Sequence, residues 1–257
     1  MIEVKNLYKS FDDKAVLKNI STVFDKGKTN LIIGRSGSGK TVLMKSLIGL
    51  IHPESGKIMY GQRNLITMKK NELKNLRREM GMLFQGSALF DSMTVLENVT
   101  FPLIMFTHDS RKERENRAKF CLERVNLMDA DDKYPGEISG GMMKRVAIAR
   151  AIALNPDFLF CDEPNSGLDP KTALLIDDLI HDITKEYNIT TVINTHDMNS
   201  VMNIGEKIIF ICEGEKAWEG TKDEIMSSSN KELNDFVFAS DLFKKVKEVE
   251  NLYNEEG

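Results

Sequence analysis

Residues 34–41 read GRSGSGKT and fit the pattern G-x-x-x-x-G-K-[ST]. The chemistry such a stretch can do is phosphate binding. Its glycines let successive backbone N–H groups turn inward on an anion, and the following helix start adds partial positive charge. Gly34, Ser36, Gly37, Ser38 and Gly39 are the loop positions expected against phosphate. Lys40 is placed to reach the β- and γ-phosphates, and the Thr41 hydroxyl to hold Mg²⁺. Further along, FLFCDEP (158–164) sets two carboxylates after four apolar residues. Acids often end strands at a surface, but downstream of a phosphate loop these two complete a hydrolytic pair. Asp162 is expected at Mg²⁺, through a water, and Glu163 as the group that orients and deprotonates the attacking water.

Three further positions carry weaker signals. His196, in INTHD, follows an apolar run; no pair among the four histidines has metal-ligand spacing. A lone histidine is more often structural, but this one falls at the sheet end where parallel α/β folds bind ligands, in reach of a γ-phosphate. Gln85 closes GMLF at the same edge and could sense Mg²⁺ or the attacking water. Phe11 precedes the phosphate loop and could stack on adenine or pack in the core.

A second possible anion site begins at Ser139. In PGEISGGMMKRVAIARA (135–151), Ser139, Gly140 and Gly141 open a helix-like run with basic residues at 144, 145 and 150. One domain has no obvious need for two phosphate-binding helix starts.

These residues need elements to carry them. TNLIIG reads as a buried strand entering the phosphate loop, with a helix over about 40–50 leaving it. IEVKNL and VLKNISTVF alternate in part, and GKIMY, GMLF, FLFC, TTVINT and KIIFIC read as strands. Strands alternating with helices imply a mostly parallel sheet. About 88–154 reads as helical, an insertion into that core, with Ala118, Leu122 and Val125 on one face. A helix between FLFC and TTVINT is expected to bury Leu175, Leu179, Ile183 and Tyr187. The end, 229–257, reads as an amphipathic extension with Leu242, Val246, Val249 and Leu252 or Tyr253 as its stripe.

Bulk properties narrow the field. The 257 residues carry a net charge of −4, which argues against nucleic acid as the main partner. The basic stretch 69–78 reads as a solvated helix face. Cys121, Cys161 and Cys212 lack CxxC spacing, so neither a disulfide framework nor a zinc site is expected, and a reducing cytosol fits. No apolar run approaches membrane-spanning length, and the first residues lack a signal-peptide core.

Taken in order, GRSGSGKT, Gln85, ISGGMMKR, CDEP, SGLDP (166–170) and His196 in THD resemble the ATP-binding subunit of an ABC transporter, over roughly residues 2–228. The resemblance implies a P-loop α/β core with a mostly parallel sheet, an N-terminal antiparallel β subdomain and the inserted helical subdomain. It implies ATP and Mg²⁺ as ligands and a second copy packed head to tail. In such a pair Ser139, Gly140 and Gly141 cap the γ-phosphate on the opposite P-loop, which accounts for two anion sites in one chain. It places Asp169 at the same interface and Phe11 against adenine. Ile138 and Met142 stand where the signature usually has leucine and glutamine, so only the backbone donors are carried over at 142.

Residues 82–103 and 137–157 are similar to the ATPase subunits of Mla-type phospholipid transporters. That similarity implies an integral permease, an MCE-domain protein and a place on the cytoplasmic side of the inner membrane. It further implies a groove after Gln85 for a permease helix, near Met80, Met82, Met93 and Met105, and a C-terminal extension that reaches the opposite subunit. An importer ATPase for another solute and a non-transporting membrane scaffold carry the same motifs. A DNA- or ribosome-acting ATPase would bring coiled-coil insertions, zinc sites or two fused cassettes, which this sequence lacks.

Overall fold

The strand over Thr29–Ile33 (β3) is buried at all five positions and decides the layering. Its side chains alternate between two hydrophobic cores. Leu31 and Ile33 join one and Ile32 the other, as the two-residue period of a strand requires. A computed structural model describes residues 1–12 and 14–239.

One core lies under an antiparallel sheet of β1 (Ile2–Phe11), β2 (Lys14–Phe24), β4 (Ser55–Tyr60) and β5 (Arg63–Asn64), in the order β2–β1–β4–β5. The central sheet runs β10–β9–β3–β8–β7–β6, with β6 (Met80–Leu83), β7 (Phe158–Asp162), β8 (Thr190–Asn194), β9 (Lys207–Cys212) and β10 (Glu215–Gly220). The β9–β3–β8–β7–β6 pairings are all parallel, and β10 returns antiparallel at the edge. The helix α1 (Lys40–Leu47) and the short α2 (Lys70–Arg78) sit on the antiparallel side, where Leu76 is the buried residue of α2. The basic stretch 69–78 is thus a largely exposed helix face.

The other core is covered by helices. These are α3 (Val95–Phe106), α4 (Arg111–Arg124), α5 (Gly140–Ile152), α6 (Pro170–Glu186) and α7 (Met198–Ile204). Thr94 and Ser110 cap α3 and α4, each in a capping box with the glutamate three residues on. Ala118, Leu122 and Val125 are all buried.

The expected stripe on α6 is met at three of its four positions: Ile183 is buried, and Leu179 and Tyr187 pack partly buried against the same core. The residues the helix buries are Ala173, Ile176, Asp177, Ile180, Ile183 and Thr184, and Leu175 is 46% exposed. Leu175, Leu179, Ile183 and Tyr187 are spaced by fours, and each such step rotates about 40° around the helix. The series therefore meets the core from Leu179 onward and misses it at Leu175, while the fully buried positions follow mixed steps of three and four.

After α8 (Lys222–Met226), the helix α9 (Lys231–Val237) folds back on its own chain. Leu233, Val237 and Phe238 enter the helical-side core, and the Phe236 ring lies 5.4 Å from that of Phe210. The stripe expected at Leu242, Val246, Val249 and Leu252 or Tyr253 lies outside the described residues.

The loop after β7 is tied to α6 and α7 by one half-buried amide. Asn165 Nδ2 donates to Asp177 Oδ1 at 2.7 Å and to Ser200 Oγ at 2.9 Å. Burial pushes the Asp177 carboxyl up to about 6, against the hydrogen bonds from Ser200 and Asn165, with Asp197 and Asp178 adding to the rise. A carboxyl raised on folding holds its proton longer in the native state. Its cost to stability is therefore absent below the ordinary value of 3.8 and complete above about 6. Asp177→Asn should raise stability by roughly 2 kcal/mol near pH 7.5, and the gain should vanish toward pH 4. Denaturant unfolding of both chains across that range checks it.

Candidate functional site

The phosphate loop is shaped by close backbone approach. Gly34 has φ of 148°, and a Cβ there would lie 2.2 Å from the Ile211 carbonyl oxygen. Gly39 has φ of 109° at the N-cap of α1, where a Cβ would lie 2.8 Å from the Val16 oxygen. Neither position admits another residue without moving backbone. The first turn of α1 has no acidic residue and no side-chain cap, so its N–H groups are open to an anion. Ser36 and Gly37 are exposed. Ser38 Oγ is buried without a partner. Lys40 is buried, and its Nζ donates to the carbonyls of Gly34 at 2.8 Å and Arg35 at 3.0 Å. Burial lowers its pKa, while Glu163 and Asp162 oppose that shift.

Those two carboxylates arrive from β7. Parallel pairing sets Asp162 beside Asn194 of β8, and Ile32 of β3 flanks Asn194 on its other side. Asn194 Nδ2 donates to Asp162 Oδ1 at 2.6 Å and approaches Thr41 Oγ1 at 3.4 Å. Glu163 takes a left-handed φ of 48°, and its N–H bonds to the Asn194 carbonyl at 2.8 Å. Its side chain is 15% exposed, and Oε1 lies 2.9 Å from His196 Nδ1. Lys40, Thr41, Asp162, Glu163 and His196 thus meet at the carboxyl ends of three neighbouring strands.

Gln85 joins the group from β6. It is exposed, and its Nε2 donates to Ser166 Oγ at 3.2 Å, which links the loop after β6 to the loop that carries Asp169. Phe11 ends β1 at 44% exposure with Lys9 Nζ 4.9 Å from its ring centre. Of the two fates open to it, core packing is the one excluded.

Ser139, Gly140, Gly141 and Asp169 form a separate surface. Ser139 caps α5 through Oγ, which accepts from Met142 N. Gly140 lies beside Leu168, and a Cβ on Gly141 would fall 2.7 Å from Thr172. Asp169 caps α6, with Oδ1 accepting from the backbone of Lys171 and Thr172. Hydrogen bonds from the Thr172 side chain and backbone hold the Asp169 carboxyl below its usual range. The neighbours of the Ser-Gly-Gly turn are thus the start of α6, and Ser139 and Gly140 face outward.

The basic residues after that turn serve carbonyl oxygens. Lys144 Nζ donates to the Gln85 carbonyl, and Arg145 to Val125 O at 3.2 Å. Arg150 donates to Ser87 O at 2.7 Å and Ala88 O at 2.8 Å. Ser87 and Ala88 both have positive φ, so this clamp holds a strained loop. Neither the clamp nor Asn194 was signalled by motif spacing. The available hint at 194 was an amide ending an otherwise apolar strand.

Below the clamped loop opens a groove of about 430 Å³, lined by Met80, Met82, Phe84, Phe90, Phe101 and Phe106 among others. Met93 and Met105 do not line it; Met105 is 57% exposed on α3. Asn98 pins the groove's edge by bonding both backbone groups of Phe90.

Among the described residues no cluster of three or more His, Cys, Asp or Glu could cage a metal. Thr41 and Asp162, bridged by the Asn194 amide, instead suit a cation that brings phosphate oxygens and waters as its other ligands, which is the habit of Mg²⁺. No helix among the described residues is long and apolar enough to cross a membrane.

Residues 17–166 match the family described as ABC transporter. The chain is 36% identical to MlaF of Haemophilus influenzae, an intermembrane phospholipid transport ATP-binding protein, over 92% of this chain and 90% of that one. It is 40% identical to MetN of Carboxydothermus hydrogenoformans, a methionine import ATP-binding protein, over 88% of this chain and 67% of that one. The dimeric bacterial ABC transporter cassette MJ0796 shares the fold with a TM-score of 0.79 at 34% identity, over 86% of this chain and 99% of that one. MJ0796 has also been captured after hydrolysis with ADP and Pi. With motif geometry, family pattern and fold in agreement, the chain belongs to the ABC transporter family, as an ATP-binding ATPase subunit of the α/β P-loop class.

Proposed function

We propose that this ATPase is the motor of an Mla-type phospholipid transporter. In this reading it works as a head-to-tail pair on the cytoplasmic face of the inner membrane, beneath an integral permease and its MCE-domain partner. The arrangement at Glu163 carries the hydrolytic part. A carboxylate at the end of a buried strand, 2.9 Å from His196 Nδ1, is held where it can take a proton from an attacking water. Lys40 exchanges its bonds to Gly34 and Arg35 for bonds to the β- and γ-phosphates. The N–H groups from Gly34 through Gly39 and the start of α1 cradle the remaining oxygens, with Ser36 and Ser38 hydroxyls beside them. Thr41, Asp162 and Gln85 hold Mg²⁺, which neutralises phosphate charge. Phe11, exposed at the end of β1, offers its face to adenine.

Ser139 and Gly140, which face outward, and Gly141 beside them supply helix N–H groups to the γ-phosphate of the partner copy, with Asp169 at the same interface. Nucleotide then binds the closed pair better than the open one, and that difference is what moves the permease. The groove beside Phe84 and Phe90 is apolar and methionine-lined, which suits a partner helix. The phospholipid cargo rests on the likeness to MlaF and on the 82–103 and 137–157 segments. The MetN likeness favours a second reading, an importer of a small solute. Purifying the permease complex and identifying what it carries separates them: bound phospholipid supports the first, and a lipid-free complex that binds methionine supports the second.

Glu163→Gln should slow hydrolysis by at least about a hundredfold and accumulate an ATP-bound dimer, seen by size exclusion with ATP. Ser139→Arg should keep nucleotide binding yet abolish turnover; tight ATP-dependent dimers of that variant would contradict the head-to-tail arrangement. Phe90→Asp should release the subunit from its permease during affinity purification, because it places a charge in the docking groove. Deleting residues 240–257 leaves α9 intact, so a loss of dimer after that cut would place the extension against the opposite subunit, and unchanged assembly would exclude it.

A further inference from the structure

Strand β8 is buried throughout and ends on Asn194, which is 1% exposed. A buried amide is costly unless its polar atoms are paired, and an apolar side chain of the same size would avoid that cost. Here only half of the amide is paired. Nδ2 donates to Asp162 Oδ1 at 2.6 Å and lies 3.4 Å from Thr41 Oγ1, while Oδ1 is buried without a partner. The orientation is fixed by chemistry: an ionised carboxylate only accepts, so the nitrogen must face Asp162, and the leftover atom must be an acceptor. The backbone of Asn194 adds a second hold. Its carbonyl accepts from the N–H of Glu163, the residue with φ of 48°. One residue therefore bonds the Asp162 carboxylate with its side chain and the Glu163 backbone with its carbonyl, and stands beside Thr41. A side chain needed only to fill the sheet would leave no polar atom unsatisfied next to these groups.

We propose that Asn194 is a positioning residue for the divalent cation: its amide N–H holds Asp162 turned toward Thr41, and its free Oδ1 accepts from a water of the hydrated ion. The proposal rests on the reading that Asp162 and Thr41 hold Mg²⁺. Residues that orient metal ligands typically matter tenfold or more to metal affinity.

The test uses the full-length chain and calorimetric ADP binding, with EDTA and across a Mg²⁺ series. Asn194→Val removes both polar atoms and puts in a β-branched residue that suits a buried strand. It should leave ADP affinity in EDTA within about twofold, because the phosphate loop is untouched. The Mg²⁺ concentration at which ADP binding tightens should rise roughly tenfold. Mn²⁺ titrated in place of Mg²⁺, read by its paramagnetic resonance signal, should show the same shift without any turnover. Asn194→Thr, which supplies a hydroxyl donor in place of the amide, should recover part of the loss. An equal loss of ADP affinity in EDTA overturns the proposal, since the residue would then support the loop and not the ion. An unchanged Mg²⁺ requirement in Asn194→Val overturns it as well, provided Asp162→Asn raises that requirement. If Asp162→Asn leaves it unchanged, the assignment of Asp162 to the cation is what fails.

Discussion

Parallel pairing of β3, β8 and β7 is the constraint from which the site follows. Gly34, which opens the phosphate loop, Asp162 and His196 are far apart in sequence, yet each lies at the last residue, or within two residues of it, of one of these strands. Parallel register places those ends side by side, and burial of nearly every strand position fixes that register. A one-residue slip would exchange the faces of β3 and put Ile32 in the wrong core. The hydrophobic effect thus sets positions for groups that are themselves charged.

Polar atoms at that edge then bond to each other in a particular order. Asn194 holds Asp162 by its side chain and Glu163 by its backbone, His196 meets Glu163, and Gln85 reaches Ser166. Just behind them, Asn165 joins α6 and α7. Two asparagines therefore carry much of the geometry between strand ends and loops, each suited by an NH₂ group that can donate to two acceptors at once.

Much of this was legible in the sequence because it depends on local pattern. The strand entering GRSGSGKT, the strand ending in Asp162 and the helix opened by Ser139 were all marked by apolar runs next to glycines or acids. The α6 stripe fails only at Leu175, because spacing by fours looks periodic over two turns and drifts over four. Lys144 and Arg150 gave no signal, since their partners are backbone carbonyls of a loop some sixty residues away. A basic residue bonded to a carbonyl reads in sequence like one facing solvent. Asn194 was passed over for a similar reason: its meaning comes from its neighbour on the adjacent strand.

The clamp from α5 to the loop after Gln85 has a mechanical consequence. Thirteen residues of helix span about 20 Å, with the outward-facing Ser-Gly-Gly turn at one end and Arg150 near the other. Arg150 grips the carbonyls of Ser87 and Ala88, and Ala88 lines the apolar groove. A stiff rod fastened at one end to the groove's rim cannot be drawn toward a phosphate at its other end without tilting that rim. In the proposed dimer, contraction at the nucleotide and displacement at the groove are two ends of the same lever.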